Sequence, residues 1–293
     1  MQFRTLTDAH IDKCRPYFEL LSHTACDYTL GGVFMWRGMY NTEFYMDEHC
    51  LIVRLYEDEI IYYCLPMCKD QYILTALKRL AEYEKEQGNN LFRLCAVPTE
   101  YIPLFDELGL KYTLSAQPDF YDYVYSAEDL INLSGKKYGG QRNLIRQFNR
   151  IYEDNRLEEI TPDNIGEVKE FFNANFEAAA EGGNKTAENA LVNDVLDKAL
   201  FGMQGAVLYT GGKVAGFSVG EQVGDTLYVH IEKADRNVKG AYQTLNNRFA
   251  AKYGKNAVYI NREDDMGDEG LRKAKLAYHP VKLLEKFEVE FEL

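Results

Sequence analysis

The chain repeats itself, and this constrains its fold more than any other feature. The segment "FRTLTDAHIDKCRPYF" (3–18) aligns with "LEEITPDNIGEVKEFF" (157–172) at an offset of 154 residues. Thr7 falls on Thr161, Ile11 on Ile165, and Tyr17-Phe18 on Phe171-Phe172. Each copy spells a short strand, a threonine able to cap, and an apolar-periodic helix. The same offset lays "VRLYEDEIIYY" (53–63) on "VLYTGGKVAGF" (207–217), two alternating strands around a turn at Glu57-Asp58 or Gly211-Gly212. The second copy then adds a further strand, "DTLYVHIEK" (225–233), beyond which the offset grows to about 166. Helices over about 70–87 and 239–252, strands at 91–97 and 257–263, and helices over about 99–108 and 268–276 complete the series. A duplicated unit of this kind predicts two α+β domains. The expected division is 1–125, a basic linker helix region at 126–156, and 157–293.

With 293 residues, 46% of them hydrophobic, the chain can bury two ordinary cores. Its apolar runs are too short to span a bilayer, and "MQFRTLTDAH" lacks the features of a secretory signal, so a cytoplasmic location is expected. Six cysteines fall in the first third without a CxxC, which favours free buried thiols over metal ligands or disulfides. The net charge of −13 disfavours nucleic acid unless basic residues are concentrated locally. No GxGxxG, HExxH, Walker loop or Ser-His-Asp spacing supports dinucleotide, metalloprotease, kinase or hydrolase chemistry.

Candidate chemistry gathers in the second copy. Alternation along 225–233 puts His230 and Glu232 on one strand face, close enough to couple for proton removal near neutral pH, or to be a half-exposed face with a hydrogen-bonded histidine. Tyr278 and His279 are further candidates for general acid or oxyanion donor. Next comes "KADRNVKGAYQ" (233–243), where Lys233, Arg236 and Lys239 surround Gly240 and Ala241 at a helix start. Backbone amides there suit a phosphate, though basic loops are also ordinary surface. Asn261, Arg262, Glu263, Asp264 and Asp265 leave a strand end for a loop whose carboxylates would attract an amine acceptor. Farther along, Asp268, Glu269, Arg272, Lys273 and Lys275 match a helix macrodipole and need no function. Arg142, Arg146 and Arg150 recur every four residues, so they line one side of an amphipathic helix. That stripe either bridges the domains or, with Tyr138 and Tyr152 available to stack, offers a surface for tRNA. In the first copy, the aromatic-dense "DYTLGGVFMWRGMYNTEFYM" (27–46) fits a core better than an acceptor pocket.

The order strand, helix, three antiparallel strands, helix, strand, helix, strand resembles the GNAT acyltransferase fold, and "LFDELGLKYTL" (104–114) is similar to the end of many such domains. The segments "DYVYSAEDLINLSGKKYGGQRNLIRQF" (122–148), "YVHIEKADRNVKGAYQTLNNRFA" (228–250) and "YINREDDMGDEGLRKAKLAYHP" (259–280) resemble a bacterial family sharing the C-terminal acyltransferase domain of phosphatidylglycerol lysyltransferases. The resemblance implies tandem GNAT-like domains and transfer of an acyl group from acyl-CoA, or an aminoacyl group from aminoacyl-tRNA. It also implies that Lys233, Arg236, Lys239, Gly240 and Ala241 hold the donor phosphate. Two departures stand out. Those transferases carry membrane spans that are missing here, and "NVKGAY" begins with Asn237 and ends with Tyr242 where the GNAT phosphate loop has Gln or Arg and Gly or Ala. The first bears on a lipid acceptor, the second on acyl-CoA. A non-catalytic module that senses a small molecule or a protein is the alternative.

Overall fold

The computed structural model describes residues 1–20, 25–177 and 183–293. In the first half, β1 (Arg4–Thr5), α1 (Ile11–Phe18), α2 (Leu30–Trp36), β2 (Glu43–Met46), β3 (Leu51–Glu57), β4 (Ile60–Tyr63), α3 (Asp70–Glu86), β5 (Leu91–Pro98) and β6 (Tyr112–Ala116) follow in order. The second half continues with β7 (Asp122–Ser126), α4 (Ala127–Asn132), α5 (Gly139–Ile151), β8 (Arg156–Glu159), α6 (Ile165–Phe172), α7 (Gly183–Asp197), β9 (Gln204–Thr210) and β10 (Lys213–Val223). It ends with β11 (Thr226–Ala234), α8 (Ala241–Tyr253), β12 (Tyr259–Asn261), α9 (Glu269–Leu276), β13 (Lys282–Leu284) and β14 (Lys286–Glu292).

Helices form where the apolar spacing demands them. In α3 the buried residues Ile73, Ala76, Leu77, Leu80, Ala81 and Glu84 recur at three- and four-residue steps. The start of α2 is capped by Thr29, whose hydroxyl accepts the Gly32 N–H at 3.0 Å.

The chain divides into two units. Unit 1 comprises Met1–Asp122, Asp264–Asp268 and Leu283–Leu293; unit 2 comprises Tyr123–Glu263 and Glu269–Lys282. The first sheet has the order β1-β2-β3-β4-β5-β14-β6 and the second, read from its first strand, β8-β9-β10-β11-β12-β7-β13. The two orders are the same once β14, the last strand, and β7, the strand before β8, are set in the sixth places. β14, the last strand, pairs antiparallel with β5 and β6. β7, which follows the first half, pairs antiparallel with β12.

The duplicated α+β architecture is as expected, but its division differs in detail. Residues 283–293 belong to unit 1, and 126–156 are part of unit 2 rather than a linker. The reason is that reciprocal strand placement, which local periodicity cannot register. The added strand in the second copy is also no addition. Sheet order matches β3-β4 to β10-β11, and the overlooked counterpart in the first half is β2, a four-residue strand within the aromatic segment. Unit 2 also carries α4 and α5 ahead of β8, where no helix precedes β1 among the described residues, and its α7 has 15 residues where α2 has 7.

The unit 2 core joins Tyr125, Leu227, Phe249 and Ile260. Beside it, Phe148 of α5 packs against Ala234, Ala241 and Leu245. In unit 1, Tyr28, Leu30, Val33, Phe34, Met35 and Phe44 are buried, so the aromatic-dense segment is core. All six cysteines are free thiols, five of them buried. No helix among the described residues is long and apolar enough to cross a membrane.

Candidate functional site

In unit 2 two parallel strands part. β11 and β12 pair at Thr226↔Tyr259, Leu227↔Ile260 and Tyr228↔Asn261. Beyond that point β11 stays with β10, as far as Gly216↔Ala234. The chain after Asn261 follows β7 instead: Arg262 N–H donates to Tyr123 C=O and Tyr123 N–H to Glu263 C=O, both at 3.0 Å. A fork opens between them. On its β11 side the register slips, with Val219 opposite Ile231 and Gly220 opposite Val229, leaving His230 as the extra residue of a bulge. Gly220 is required there, since a Cβ would lie 2.1 Å from Tyr228 O. His230 has a fully buried side chain, yet the residue as a whole is half-buried, so its main chain is what faces solvent.

Two side-chain bridges cross the fork. His230 Nδ1 meets Glu263 Oε1 at 2.7 Å, and Arg262 Nη2 donates to Glu232 Oε1 at 2.9 Å. His230 Nε2 meets Glu221 Oε1 at 3.0 Å. Burial alone would lower the His230 pKa, but hydrogen bonds to Glu221 and Glu263 outweigh it and push the value up to about 10. The ring is therefore an imidazolium that donates from both nitrogens at neutral pH. This corrects the expectation of a base coupled to Glu232: His230 has no lone pair to offer. Glu232 is engaged elsewhere, since Asn246 Nδ2 donates to its second oxygen at 3.0 Å.

Unit 2 holds several unanswered polar atoms. Arg262 Nη1, Asn246 Oδ1, Ser218 Oγ and Thr244 Oγ1 are buried without a hydrogen-bond partner among the described residues. Ser218 stands opposite Glu232 in the β10–β11 ladder. The Arg262 guanidinium lies 5.0 Å from the Tyr278 ring and 5.7 Å from that of Tyr125. Burial pushes the Tyr278 phenol well above the ordinary tyrosine range, so it stays protonated. A buried donor and a buried acceptor, both without partners and tied to one carboxylate, are costly unless something completes them.

The expected phosphate cradle is not assembled. Gly240 has φ +82°, and a Cβ there would lie 2.6 Å from Leu144 O and 3.0 Å from Phe148 Cβ. Its lack of a side chain lets α5 pack across the start of α8, where a ligand was expected. Ala241 is buried and its N–H donates to Val238 C=O at 3.0 Å. Lys233 pairs with Glu188 at 2.5 Å, while Arg236 and Lys239 are exposed.

The acid-rich stretch is divided between the units. Asn261 is buried in unit 2, its Oδ1 accepting the Glu263 N–H at 2.7 Å. Arg262 and Glu263 form the fork bridges. Asp264 and Asp265 belong to unit 1. There Asp265 is buried and accepts the Gly267 N–H at 3.0 Å, and Asp264 lies 3.9 Å from Lys286 Nζ. Asn261 and Asp265 thus each hold a turn of their own.

The basic stripe is also split by role. Arg142 donates to the carbonyls of Leu133 and Gly135, closing the end of α4, whereas Arg146 and Arg150 are exposed on α5. Tyr138 is buried, and Tyr152 is half-buried and packs on Phe148. Lys275, which the sequence presents as a macrodipole match, is instead buried and donates to Arg262 C=O at 2.5 Å. Sequence reasoning missed the unit 1 cluster in which Lys286 Nζ lies 2.7 Å from Asp27 Oδ2 and 2.8 Å from Asp122 Oδ1. Cys26, Asp27 and Asp122 could by spacing hold a metal ion, but the Lys286 ammonium stands among them. No local pattern signals such a grouping, because its members are far apart in the chain.

Known proteins share this architecture. The family model described as "Phosphatidylglycerol lysyltransferase, C-terminal" matches residues 18–290. The chain is similar to a conserved protein of unknown function from Bacteroides thetaiotaomicron VPI-5482, with 30% identity, all of both chains covered and a TM-score of 0.90. L-PGS from Bacillus licheniformis has the same fold at 13% identity and a TM-score of 0.69, over 96% of this chain and 91% of that one. An uncharacterised protein of Mycoplasmoides gallisepticum is 23% identical over 171 residues, 58% of this chain. The match spans 56% of that curated relative's length.

Proposed function

This chain belongs to the family of the phosphatidylglycerol lysyltransferase C-terminal domain, and from that membership we propose that it transfers an aminoacyl group to an amine acceptor at the fork of unit 2. The observation that carries this reading is the pairing of Arg262 Nη1, a buried donor without a partner, with Asn246 Oδ1, a buried acceptor without one. An aminoacyl group brings both complements, a carbonyl for the guanidinium and an α-ammonium for the amide oxygen. The open main chain at His230 gives the acyl group a backbone to lie along.

Geometry at α8 favours aminoacyl-tRNA over acyl-CoA as the donor. The helix start that would receive a pyrophosphate is covered by α5 at Leu144 and Phe148. In the proposed step the amine nitrogen bonds to the ester carbon and the C–O bond to the ribose breaks. The departing oxygen takes up the proton that the amine releases. Arg262 stabilises the charge developing on the carbonyl oxygen. His230, fixed between two carboxylates, positions Glu263 and the fork rather than moving protons. Orientation supplies the remaining acceleration.

The test is to offer the protein tRNA carrying a labelled amino acid, or labelled acyl-CoA, with a panel of amines. Label should leave the tRNA for an amine and should stay on it with Arg262→Gln. Transfer from acyl-CoA alone would overturn the choice of donor. A donor that raises the melting temperature with concentration but never loses its acyl group would favour the non-catalytic binding module instead.

A further inference from the structure

Unit 1 contains the same fork, and a side chain of its own closes it. β4 and β5 are parallel neighbours at one residue pair, Tyr63↔Leu94. Beyond it, Cys64 N–H bonds to Val53 C=O of β3 at 2.9 Å, and Met67 exchanges both backbone hydrogen bonds with Leu51. On the other side, Val97 and Pro98 pair with Phe287 and Lys286 of β14. The β5–β14 register slips just before this, and Ala96 is held at φ +52°. The strands therefore diverge after Tyr63 and Leu94 as β11 and β12 do after Tyr228 and Asn261.

The gap is crossed by Tyr28. Its hydroxyl accepts the Leu65 N–H at 3.1 Å and donates to Cys95 C=O at 3.1 Å. The side chain is 3% exposed. Burial pushes its pKa well above the ordinary tyrosine range, so the phenol keeps the proton it donates. The turn that delivers Tyr28 is fixed: Thr29 Oγ1 donates to Cys26 C=O at 2.9 Å, and a Cβ on Gly32 would lie 2.6 Å from that same oxygen.

We infer that the fork of unit 1 is a latent copy of the ligand site in unit 2, with Tyr28 as its built-in occupant, and that it takes a small phenol when that side chain is removed. The inference rests on reading the unit 2 fork as the place where ligand lies. One end of a phenol supplies both the acceptor that Leu65 N–H needs and the donor that Cys95 C=O needs. Transfer is then confined to unit 2, because the matching backbone groups of unit 1 are already satisfied from within.

The experiment compares thermal melts of Tyr28→Ala with 4-methylphenol, the tyrosine side chain as a free molecule, and with toluene, which lacks the hydroxyl. The variant should melt below the native protein, and 4-methylphenol should raise its melting temperature saturably while toluene does not. The native protein should show no such rise. Should Tyr28→Ala not fold, Tyr28→Phe keeps the ring, and its Leu65 amide should exchange with solvent at least about tenfold faster than in the native protein. Toluene restoring as much as 4-methylphenol, an equal rise in the native protein, or unchanged Leu65 exchange in Tyr28→Phe would each overturn the inference. These readouts need no transfer, so a failed transferase assay leaves them standing, and failed phenol binding leaves the unit 2 reading untouched.

Discussion

Arg262 and Glu232 face each other at 2.9 Å across the gap where β12 parts from β11, with side chains only 11% and 12% exposed. Glu232 gives its other oxygen to Asn246, so each oxygen serves one donor. Removing one member leaves the other charge buried alone. Arg262→Met should therefore cost about 3–5 kcal/mol, and Glu232→Leu a similar amount. The double variant should cost clearly less than the sum, because neither charge then remains. Urea unfolding of the four proteins measures this coupling; full additivity would mean that the pair does not interact.

His230 adds a pH dependence of definite sign. Its folded pKa, about 10, lies above the ordinary histidine value, so the folded state holds a proton that the unfolded chain releases. The resulting stabilisation is complete below about pH 6.5 and is lost as pH rises towards 10, at no more than about 1.4 kcal/mol per pH unit. The difference in unfolding free energy between the native protein and His230→Gln should shrink over that range. A difference that is flat from pH 6 to 10 would show that the ring is neutral in the fold.

Two glycines with positive φ should respond differently to alanine. A Cβ on Gly240 (φ +82°) would lie 2.6 Å from Leu144 O, whereas one on Gly224 (φ +57°) would meet nothing within 4 Å. Gly224→Ala carries the backbone strain alone, about 1 kcal/mol. Gly240→Ala adds a clash with backbone and should cost about 3 kcal/mol or more. Equal melting temperatures for the two variants would mean that α5 does not press on the start of α8.

The exchanged strands make a prediction about which unit the C-terminus supports. Removing residues 285–293 takes away β14, which stands between β5 and β6 in the first sheet. Hydrogen exchange should then accelerate in β5 and β6, while β9, β10 and β11 keep their protection. Loss of protection in β9 to β11 instead would mean that the last strand supports the second sheet.

The repeat, the α+β class and the family were legible because they rest on local signals: strand alternation, helix caps, and long motifs such as 228–250 and 259–280. The position of β14 was not, since a strand that fits one edge by its pattern fits another equally well. The site failed for a related reason. His230 and Glu232 do share a strand, but each finds its partner on a different segment, Glu263 and Arg262. The charge a buried group carries depends on those partners, which sequence spacing does not supply. Gly240 was recognised as a close approach, but what approaches it is helix α5.

The basic stripe on α5 gives the last test of the donor. Arg142 is engaged with the Leu133 and Gly135 carbonyls, so Arg142→Ala should lower stability more than it weakens any ligand. Arg146 and Arg150 are exposed, and in a chain of net charge −13 they are a local exception. If aminoacyl-tRNA is the donor, each should neutralise about one phosphate. Arg146→Ala and Arg150→Ala should then weaken tRNA binding across sequences and reduce the slope of log affinity against log salt by about 1 each. Titrations of tRNA at several salt concentrations measure that slope. Binding that is insensitive to salt, or unchanged in both variants, would place the tRNA contact elsewhere on the protein.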